Sequence, residues 1–502
     1  MDKLDKKYIV NPAYKFKNDI NRVILLNNNS SIFDVNGEEN DALSGFSAKI
    51  HPYVAYIFSF FNGIDSVKEI YGKLADCLNV TIDEFCSCIE RFVNKEKDSV
   101  FQIPQIGYVS IPKLFLVEAC GDVNQNDSFA KSLDLKEMCA NLDLSTVRNY
   151  IPDEFTFMLN DNCCTDCIYC YADKSHKIKN LIPFVRIKEL IKEASELGMR
   201  DVGVDGGDFF LYPHWYELIL ELHKYGYDPY ISTKYPITEE IAEKLKSANV
   251  KRIQLSLDSV DNEEIVKILK VNDTYLTKVK KGIALLNKAG VEIVLKPVIT
   301  KYNDSVESIE NLIKFASQFE MMKRINLTVA EYSRFKKFDY YTTKEKVKSI
   351  ESCVENWSKK YGILVKMLGM GEILSVDTKI QKFPTRSTCS GNVSSFFVLP
   401  DGKVTICEQM YWHPFFILGD LTKQSIMEMW NSEKALSLWN FSQDEVRDYS
   451  PCKTCNDFEQ CRRGKGNCWR FAIAAYGDEN YDFPAPNCPK SLEVKKQFYI
   501  PE

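Results

Sequence analysis

From residue 155 to about 330 the chain alternates short apolar runs with amphipathic stretches, and this alternation leaves few folds open. Strands are expected at 155–159, 201–205, 229–233, 252–257, 291–298 and 324–329, and helices at 186–198, 214–225, 238–248, 275–289 and 304–318. Parallel strands need crossover connections, which the helices supply. The pattern therefore predicts an α/β domain whose parallel sheet is covered on its outer face. Six strands are too few to close an eight-stranded barrel, and chemistry is expected at their C-terminal ends, as in the full barrel.

Immediately after the first apolar run come Cys163, Cys167 and Cys170, a C-x3-C-x2-C spacing that lets three thiolates converge on one small object. Thiolates bind iron-sulfur clusters and zinc. Three of them leave one corner of a cubane cluster free to bind something else. Tyr169 and Tyr171 pack the loop, whereas Cys164 is out of register with the spacing. A zinc knuckle or a redox cysteine group would fit the spacing alone.

The loop resembles the signature of the radical S-adenosylmethionine (SAM) enzymes, and that resemblance implies an open, partial (β/α)6 barrel spanning 151–335. It makes Cys163, Cys167 and Cys170 the ligands of a catalytic 4Fe-4S cluster whose open iron is chelated by SAM. Gly206-Gly207-Asp208, after the second strand, resembles the family's Gly-Gly-Glu, which meets the amino group of SAM. Glycines permit close backbone approach, while Asp208 keeps the charge with a shorter reach. Ser232 and Thr233 end the third strand as hydroxyl partners, and Ser256-Leu257-Asp258 matches the family's Ser-Leu-Asp after the fourth. Where the family often places an Arg for the carboxylate of SAM, this chain has Leu269. Lys267, Lys270 or Lys296 would substitute as point charges without the bidentate fork of Arg.

Cysteines return from 389 onward: Cys389-x12-Gly402-x4-Cys407, then Cys452-x2-Cys455-x5-Cys461-x6-Cys468, and Cys488. Together with LGDLTKQSIMEMW, ending in Trp430, this resembles the SPASM extension of radical SAM peptide-modifying enzymes, here 389–502. The resemblance implies two auxiliary 4Fe-4S clusters, one on Cys452, Cys455, Cys461 and Cys488, the other on Cys389, Cys407 and Cys468. Six residues separate Cys461 from Cys468 where the family usually has three, so the insertion is expected to displace Cys468 or widen the loop. Ser395 occupies a position that is cysteine in some relatives, which implies an open iron on the first auxiliary cluster. Zinc ligation is the alternative for the array.

Residues 1–100 read as short strands around an Asn27-Asn28-Asn29 turn and three helices at about 51–61, 66–77 and 81–95, the last opening on a Thr81/Glu84 capping box. That order resembles the winged-helix-like leader-recognition element of ribosomal-peptide maturation enzymes, which holds a precursor peptide as an added strand. A DNA-binding or packing module has the same outline, but a nucleic-acid role would want a more basic domain. Cys77, Cys86 and Cys88 are expected to be small buried hydrophobes. Residues 101–150 read as a bridge containing a polar GDVNQNDS stretch, and 336–388 as a second bridge with a Lys-rich helix at about 343–360 and a strand at 363–367.

Lys and Arg number 64 against 70 Asp and Glu, and a net charge of −6 gives no case for nucleic acid or membrane as partner. No run of apolar residues is long enough to span a bilayer and the N-terminus has no signal-like core, so a cytoplasmic protein is expected. Seventeen cysteines there favour metal or cluster ligation over disulfides.

The resemblance thus implies a radical SAM oxidoreductase in which SAM yields a 5'-deoxyadenosyl radical that takes a hydrogen atom from a precursor peptide. A low-potential donor such as flavodoxin or ferredoxin would supply electrons. The expected product is a thioether from Cys to another residue, as in sactipeptide and ranthipeptide enzymes. Carbon-carbon or ether cross-linking, epimerisation, or formylglycine formation in a sulfatase would use the same machinery. A cluster-bearing scaffold without SAM cleavage is the non-enzymatic alternative.

Overall fold

A computed structural model describes residues 3–27, 46–75, 78, 80–103, 107–119, 128–173, 178, 180–337, 339–368, 376–386 and 388–494. The chain divides into two compact units, Met1–Asp153 with Glu196–Arg200, and Glu154–Ser195 with Asp201–Glu502.

In the first unit Tyr14–Asn18, Val23–Asn27 and Ser47–Ile50 form an antiparallel sheet with Val23–Asn27 in the centre. The helices Val67–Leu74 and Ile82–Ile89 each start on a capping box, Ser66 with Glu69 and Thr81 with Glu84. A third helix, Pro52–Phe58, packs Phe58 edge-on to Phe115, ring centroids 4.9 Å apart. The helix expected to reach residue 95 stops at Ile89, because Asn94 turns into the left-handed region (φ 50°) and Val93 bridges to Leu116.

Residues 101–150 are more than a bridge. Leu116–Glu118 pairs with Lys7–Val10 as the edge of a second sheet, and Met138 of the helix Leu135–Ala140 enters the core of the unit. Cys86 packs against that core, but Cys88 is exposed, contrary to its expected burial. Cys77, Cys120, Asn28, Asn29 and residues 121–127 of the polar stretch lie outside the described residues.

Charge is buried in this unit as well. Lys17 Nζ donates to Asp153 Oδ1 at 2.6 Å, Arg22 Nε donates to Asp19 Oδ2 at 2.8 Å, and Asp19 also accepts from the backbone of Ile151 at 2.8 Å. Lys17, Asp19 and Arg22 are all essentially inaccessible.

The second unit contains all six expected barrel strands, Glu154–Met158, Asp201–Asp205, Ile231–Thr233, Arg252–Leu255, Glu292–Leu295 and Met322–Val329. They pair parallel in two sets, the first strand with the second, and the third through sixth in sequence. Proline sets two of the boundaries, since it has no N–H for the ladder. The third strand starts only after Pro229, and the fifth breaks at Pro297 before resuming at Val298–Ile299. Leu364–Met367 adds in parallel to the sixth strand. The single helix expected at 343–360 is two, Lys344–Glu351 and Val354–Tyr361. A helix absent from the sequence reading, Asn262–Leu269, follows the fourth strand, and its signal was present in Asp261, whose side chain caps Glu264 N.

The cysteine-rich C-terminal region joins the same sheet as the first strand. Ser395–Val398 lies parallel to Glu154–Met158, and Phe155 stacks on Phe396 with centroids 5.0 Å apart. Ser395–Val398 then hairpins into Lys403–Thr405 through a turn in which Gly402 takes φ 85°. A Cβ on Gly402 would stand 2.4 Å from the methyl of Thr422, so the turn needs glycine twice over. No helix among the described residues is long and apolar enough to cross a membrane.

Candidate active site and cysteine centres

The cysteine loop is held at both ends by backbone. Where it leaves the first strand, Leu159 N donates to Asp205 O at 3.0 Å and Asn160 Oδ1 accepts from Asn162 N at 2.8 Å. Farther on, Asp166 N and Ile168 N donate to Leu269 O and Ile268 O at 2.8 and 3.0 Å, using carbonyls that the end of the helix Asn262–Leu269 leaves free. The loop is thereby fixed across the mouth of the strands. Cys167 is buried with its sulfur 3.3 Å from Thr165 Oγ1, and Ala172 N donates to Cys170 Sγ at 3.4 Å. Cys164 turns the other way, 3.9 Å from Asp208 Oδ2, and burial, then the charges of Asp208 and Cys163, push its thiol up to about 12.

Gly206 and Gly207 pack against this loop so closely that a Cβ on Gly207 would stand 2.1 Å from Asn162 O, and Gly206 has φ 122°. Gly207 N and Asp208 N donate to Asn160 O and Asn162 O. The Asp208 carboxylate accepts from Thr233 Oγ1 at 2.7 Å, and burial raises its pKa. The glycines, with Cys163, Cys170, Tyr171 and Met158, line a cavity of about 730 Å³ whose far wall is the hairpin Leu399–Lys403 with Tyr411 and Trp412. A cavity of that size suits a nucleoside-sized ligand with room for more.

The other expected SAM contacts fall into a connected set. Gln254 Nε2 donates to Ser232 Oγ at 2.8 Å and to Ser256 Oγ at 3.1 Å, while its carbonyl accepts from Tyr230. Tyr169 is turned away from the cavity and donates to Asp258 Oδ2 at 2.6 Å. Asp258 is wholly buried, accepting also from Val298 N at 2.9 Å and lying 3.3 Å from Lys234 Nζ. Lys270 caps the helix Asn262–Leu269 in the left-handed region (φ 55°) and is exposed, and Lys267 is exposed beside Glu263 at 3.5 Å. Lys296 reaches the neighbourhood of Asp205, whose carboxyl is pushed up to about 6 by enclosure, with Glu408 adding to the rise and Lys296 opposing it. Asp205, Lys234, Gln254 and Glu408 were not singled out from the sequence. Each is an ordinary residue type at a strand end or loop, and only the assembled fold brings them together.

The C-terminal cysteines separate into two groups. Cys488 is pushed up to about 11 by burial and by the charges of Cys461, Cys452 and Cys455, which places those four thiols in mutual electrostatic reach. Cys389 is raised by burial and by the charges of Cys468 and Glu408, and Glu408 Oε2 lies 3.4 Å from Cys407 Sγ. The three extra residues are taken up by a wide π-turn, Gln460–Lys465, closed by Gly466 N donating to Cys461 O at 2.7 Å. Gly466 then lies against Cys389, and Cys468 is within electrostatic reach of Cys389. Ser395 is buried, its hydroxyl 3.0 Å from Ser390 Oγ. Among the described residues no three His, Cys, Asp or Glu side chains close on a single metal-ion point.

The Radical SAM superfamily model matches residues 158–316, and the SPASM model, an iron-sulfur cluster-binding domain, matches 389–456. A probable GTP 3',8-cyclase of Pyrococcus horikoshii is 29% identical over 191 residues, 37% of this chain and 60% of that protein. The match thus spans under two thirds of that relative. Among solved structures, Streptococcus suis SuiB bound to the precursor peptide SuiA superposes with a TM-score of 0.62 at 13% identity, covering 95% of this chain and 98% of that one. SuiB bound to S-adenosylmethionine gives 0.58 over the same shares. At that identity the likeness is one of fold. The chain carries a radical SAM domain followed by a SPASM domain, and that pair implies 4Fe-4S clusters and SAM as cofactors.

Proposed function

We propose that this enzyme modifies a ribosomally made precursor peptide and forms thioether links from a Cys of that peptide to another of its residues. The observation that carries the reading is the shared chamber: Cys163, Cys170 and Gly206–Gly207 line it together with Leu399–Lys403 of the auxiliary region. A peptide seated there would touch the Cys163 loop and the hairpin that lies between Cys389 and Cys407 in the chain. The likeness to a fold solved with a precursor peptide supports the same substrate class.

When bound, SAM and the cluster held by Cys163, Cys167 and Cys170 supply hydrogen-atom abstraction from an unactivated carbon. The chain's own residues do the rest. Gly206 and Gly207 allow the backbone to approach the amino end of SAM, with Asp208 held behind them by Thr233. Ser232 and Ser256, oriented by Gln254, offer hydroxyls at the ends of adjacent strands. Lys270 or Lys296 offers a positive charge to the carboxylate, and Tyr171 forms part of the wall. The apolar side chains Met158, Ile417 and Trp412 line the chamber and limit its water. Cys452, Cys455, Cys461 and Cys488 hold one auxiliary cluster with four thiolates. Cys389, Cys407 and Cys468 hold the other with three, which leaves a position for the thiolate of the substrate. In the first unit the strands Tyr14–Asn18 and Ser47–Ile50 flank Val23–Asn27, and an edge of this kind accepts a leader peptide as an added strand. A flavodoxin or ferredoxin in the cytoplasm would provide the electrons.

Coexpression with a short Cys-rich precursor peptide, followed by mass spectrometry, tests the reading. The product should lose one hydrogen pair per cross-link, and its Cys should resist alkylation. Loss of hydrogen with the thiols still alkylatable would replace the thioether by a carbon-based link. Replacing Cys163, Cys167 and Cys170 together by Ala should abolish 5'-deoxyadenosine formation and leave the auxiliary iron in place.

A further inference from the structure

The four-cysteine auxiliary group is surrounded by cations aimed at its sulfurs. Arg386 Nη2 donates to Cys461 Sγ at 2.8 Å, Lys490 Nζ donates to Cys455 Sγ at 3.2 Å, and Arg462 Nη2 lies 3.8 Å from Cys452 Sγ. The two arginines are held in place by other contacts. Arg386 is fixed by the carbonyls of Gly466 and Phe383 at 3.3 and 3.4 Å and lies 3.8 Å over the Phe383 ring. Arg462, only 8% exposed, donates to Asp482 O at 3.0 Å and lies 4.6 Å from the Trp469 ring centroid.

One detail points beyond the protein. Nη1 of Arg462 is buried and has no hydrogen-bond partner. Leaving a buried, charged guanidinium N–H unsatisfied is costly. A sulfur-rich anion beside Arg462, whose Nη2 is 3.8 Å from Cys452 Sγ, would offset that cost. The three-cysteine group is built differently: a carboxylate, Glu408, stands 3.4 Å from Cys407, and Arg470, which hydrogen-bonds Cys468, is shared with Glu331 at 3.5 Å.

We propose that Arg386, Arg462 and Lys490 are positioning residues that compensate the charge of the four-cysteine auxiliary cluster and set its reduction potential above that of the three-cysteine one. The proposal rests on the reading of these cysteines as cluster ligands. Adding an electron to an anionic centre is easier when cations and N–H donors face its sulfurs, and harder beside a carboxylate. A single electron shared between the two auxiliary clusters would therefore rest on the four-cysteine one.

The test is a redox titration of the reconstituted full-length chain followed by electron paramagnetic resonance, with iron and sulfide measured first. The wild type should hold about twelve irons, as three 4Fe-4S clusters require. A wild type lacking auxiliary iron would overturn the ligand reading and the proposal with it. Arg386→Gln, Arg462→Gln and Lys490→Gln should each lower the midpoint of one auxiliary signal while leaving the other in place. At a fixed potential the reduced-to-oxidised ratio of that cluster should fall about tenfold, ~59 mV for a one-electron couple. Arg462→Lys, which keeps the charge, should restore most of the shift. Lys490 is exposed, so Lys490→Gln tests the charge without disturbing the core. An unchanged midpoint in Lys490→Gln and Arg386→Gln with full iron content would overturn the proposal. So would a shift shared equally by both auxiliary signals.

Discussion

Gly466 lies directly against Cys389: a Cβ built on this glycine, whose φ is 72°, would stand 3.3 Å from Cys389 Cβ. The contact explains how three extra residues between Cys461 and Cys468 are accommodated, because the wide turn before Gly466 returns the chain to Cys389. Gly466→Val should therefore strike the three-cysteine site selectively. A backbone at φ 72° and ψ 165° costs a non-glycine residue about 1–3 kcal/mol, and the added Cβ crowds Cys389. The reconstituted variant should lose about four irons and keep the signal of the four-cysteine cluster. Full iron content would mean that the turn can shift without disturbing Cys389.

In the first unit the buried group Lys17, Asp19, Arg22 and Asp153 holds strand to loop. Asp19→Ala removes the anion that Arg22 meets at 2.8 Å and leaves that buried guanidinium without a carboxylate, while Lys17 keeps Asp153. Breaking a buried pair from one side costs about 3–5 kcal/mol. Urea denaturation should show the first unit unfolding at lower denaturant, with the iron content of the second unit unchanged. A loss below about 1 kcal/mol would place the network in water-exposed company that the structure does not show.

Lys49 carries the opposite kind of strain. Burial, together with the charge of Arg22, lowers its pKa from 10.5 to about 8. Between those values the unfolded chain holds more protons than the folded one, so stability should rise as pH rises from about 8 to about 10.5 and should carry the full penalty below 8. Lys49→Met should stabilise the unit near neutrality by about 1–2 kcal/mol and flatten that rise. Denaturation midpoints at neutral and alkaline pH measure both effects, and an unaltered pH slope in the variant would remove Lys49 as its source.

The parts of the fold written in local chemistry were legible in the sequence. Six strands, five of their helices, the cysteine loop and the hairpin at Leu399–Gly402 follow from periodicity, capping and turn residues, and the structure has them. What the sequence concealed is pairing at long range. The parallel addition of Ser395–Val398 to Glu154–Met158 joins residues some 240 positions apart, and no local signal announces it. The site divides the same way. Cys163 and Cys170 were named from spacing, Gly206 and Gly207 from the family resemblance, and they meet at one cavity. Gln254 and Arg462 act through partners on other elements, and their identity alone carries no hint of it. Proline explains the misplaced strand ends, since Pro229 and Pro297 remove ladder donors inside runs that otherwise read as continuous.

Gln254 joins two strand ends by donating to Ser232 and Ser256 while accepting from Tyr230. Gln254→Leu keeps the volume and leaves two hydroxyls to reorient. If Ser232 and Ser256 hold SAM, equilibrium dialysis should show about tenfold weaker binding, the equivalent of about 1.4 kcal/mol, with iron content intact. Gln254→Glu, which can still accept from both hydroxyls, should fall between the two. Wild-type affinity in the Leu variant would take these serines out of the cofactor site.

Ser395 offers the most direct probe of the substrate's place. Its hydroxyl is buried 3.0 Å from Ser390, at the start of the strand that pairs with the first barrel strand and six residues beyond Cys389. Ser395→Cys changes one atom in a space that already accepts a polar group, so folding should be preserved. If the three-thiolate site keeps a position for the peptide's Cys, the new thiol should compete for it, and cross-linking should drop about tenfold or more, by analogy with a competing ligand at high effective concentration. Formation of 5'-deoxyadenosine should continue, because Cys163, Cys167 and Cys170 are untouched. That split between cofactor cleavage and product formation distinguishes a blocked substrate position from a damaged enzyme. Undiminished cross-linking by Ser395→Cys would move the substrate thiolate away from the three-cysteine cluster.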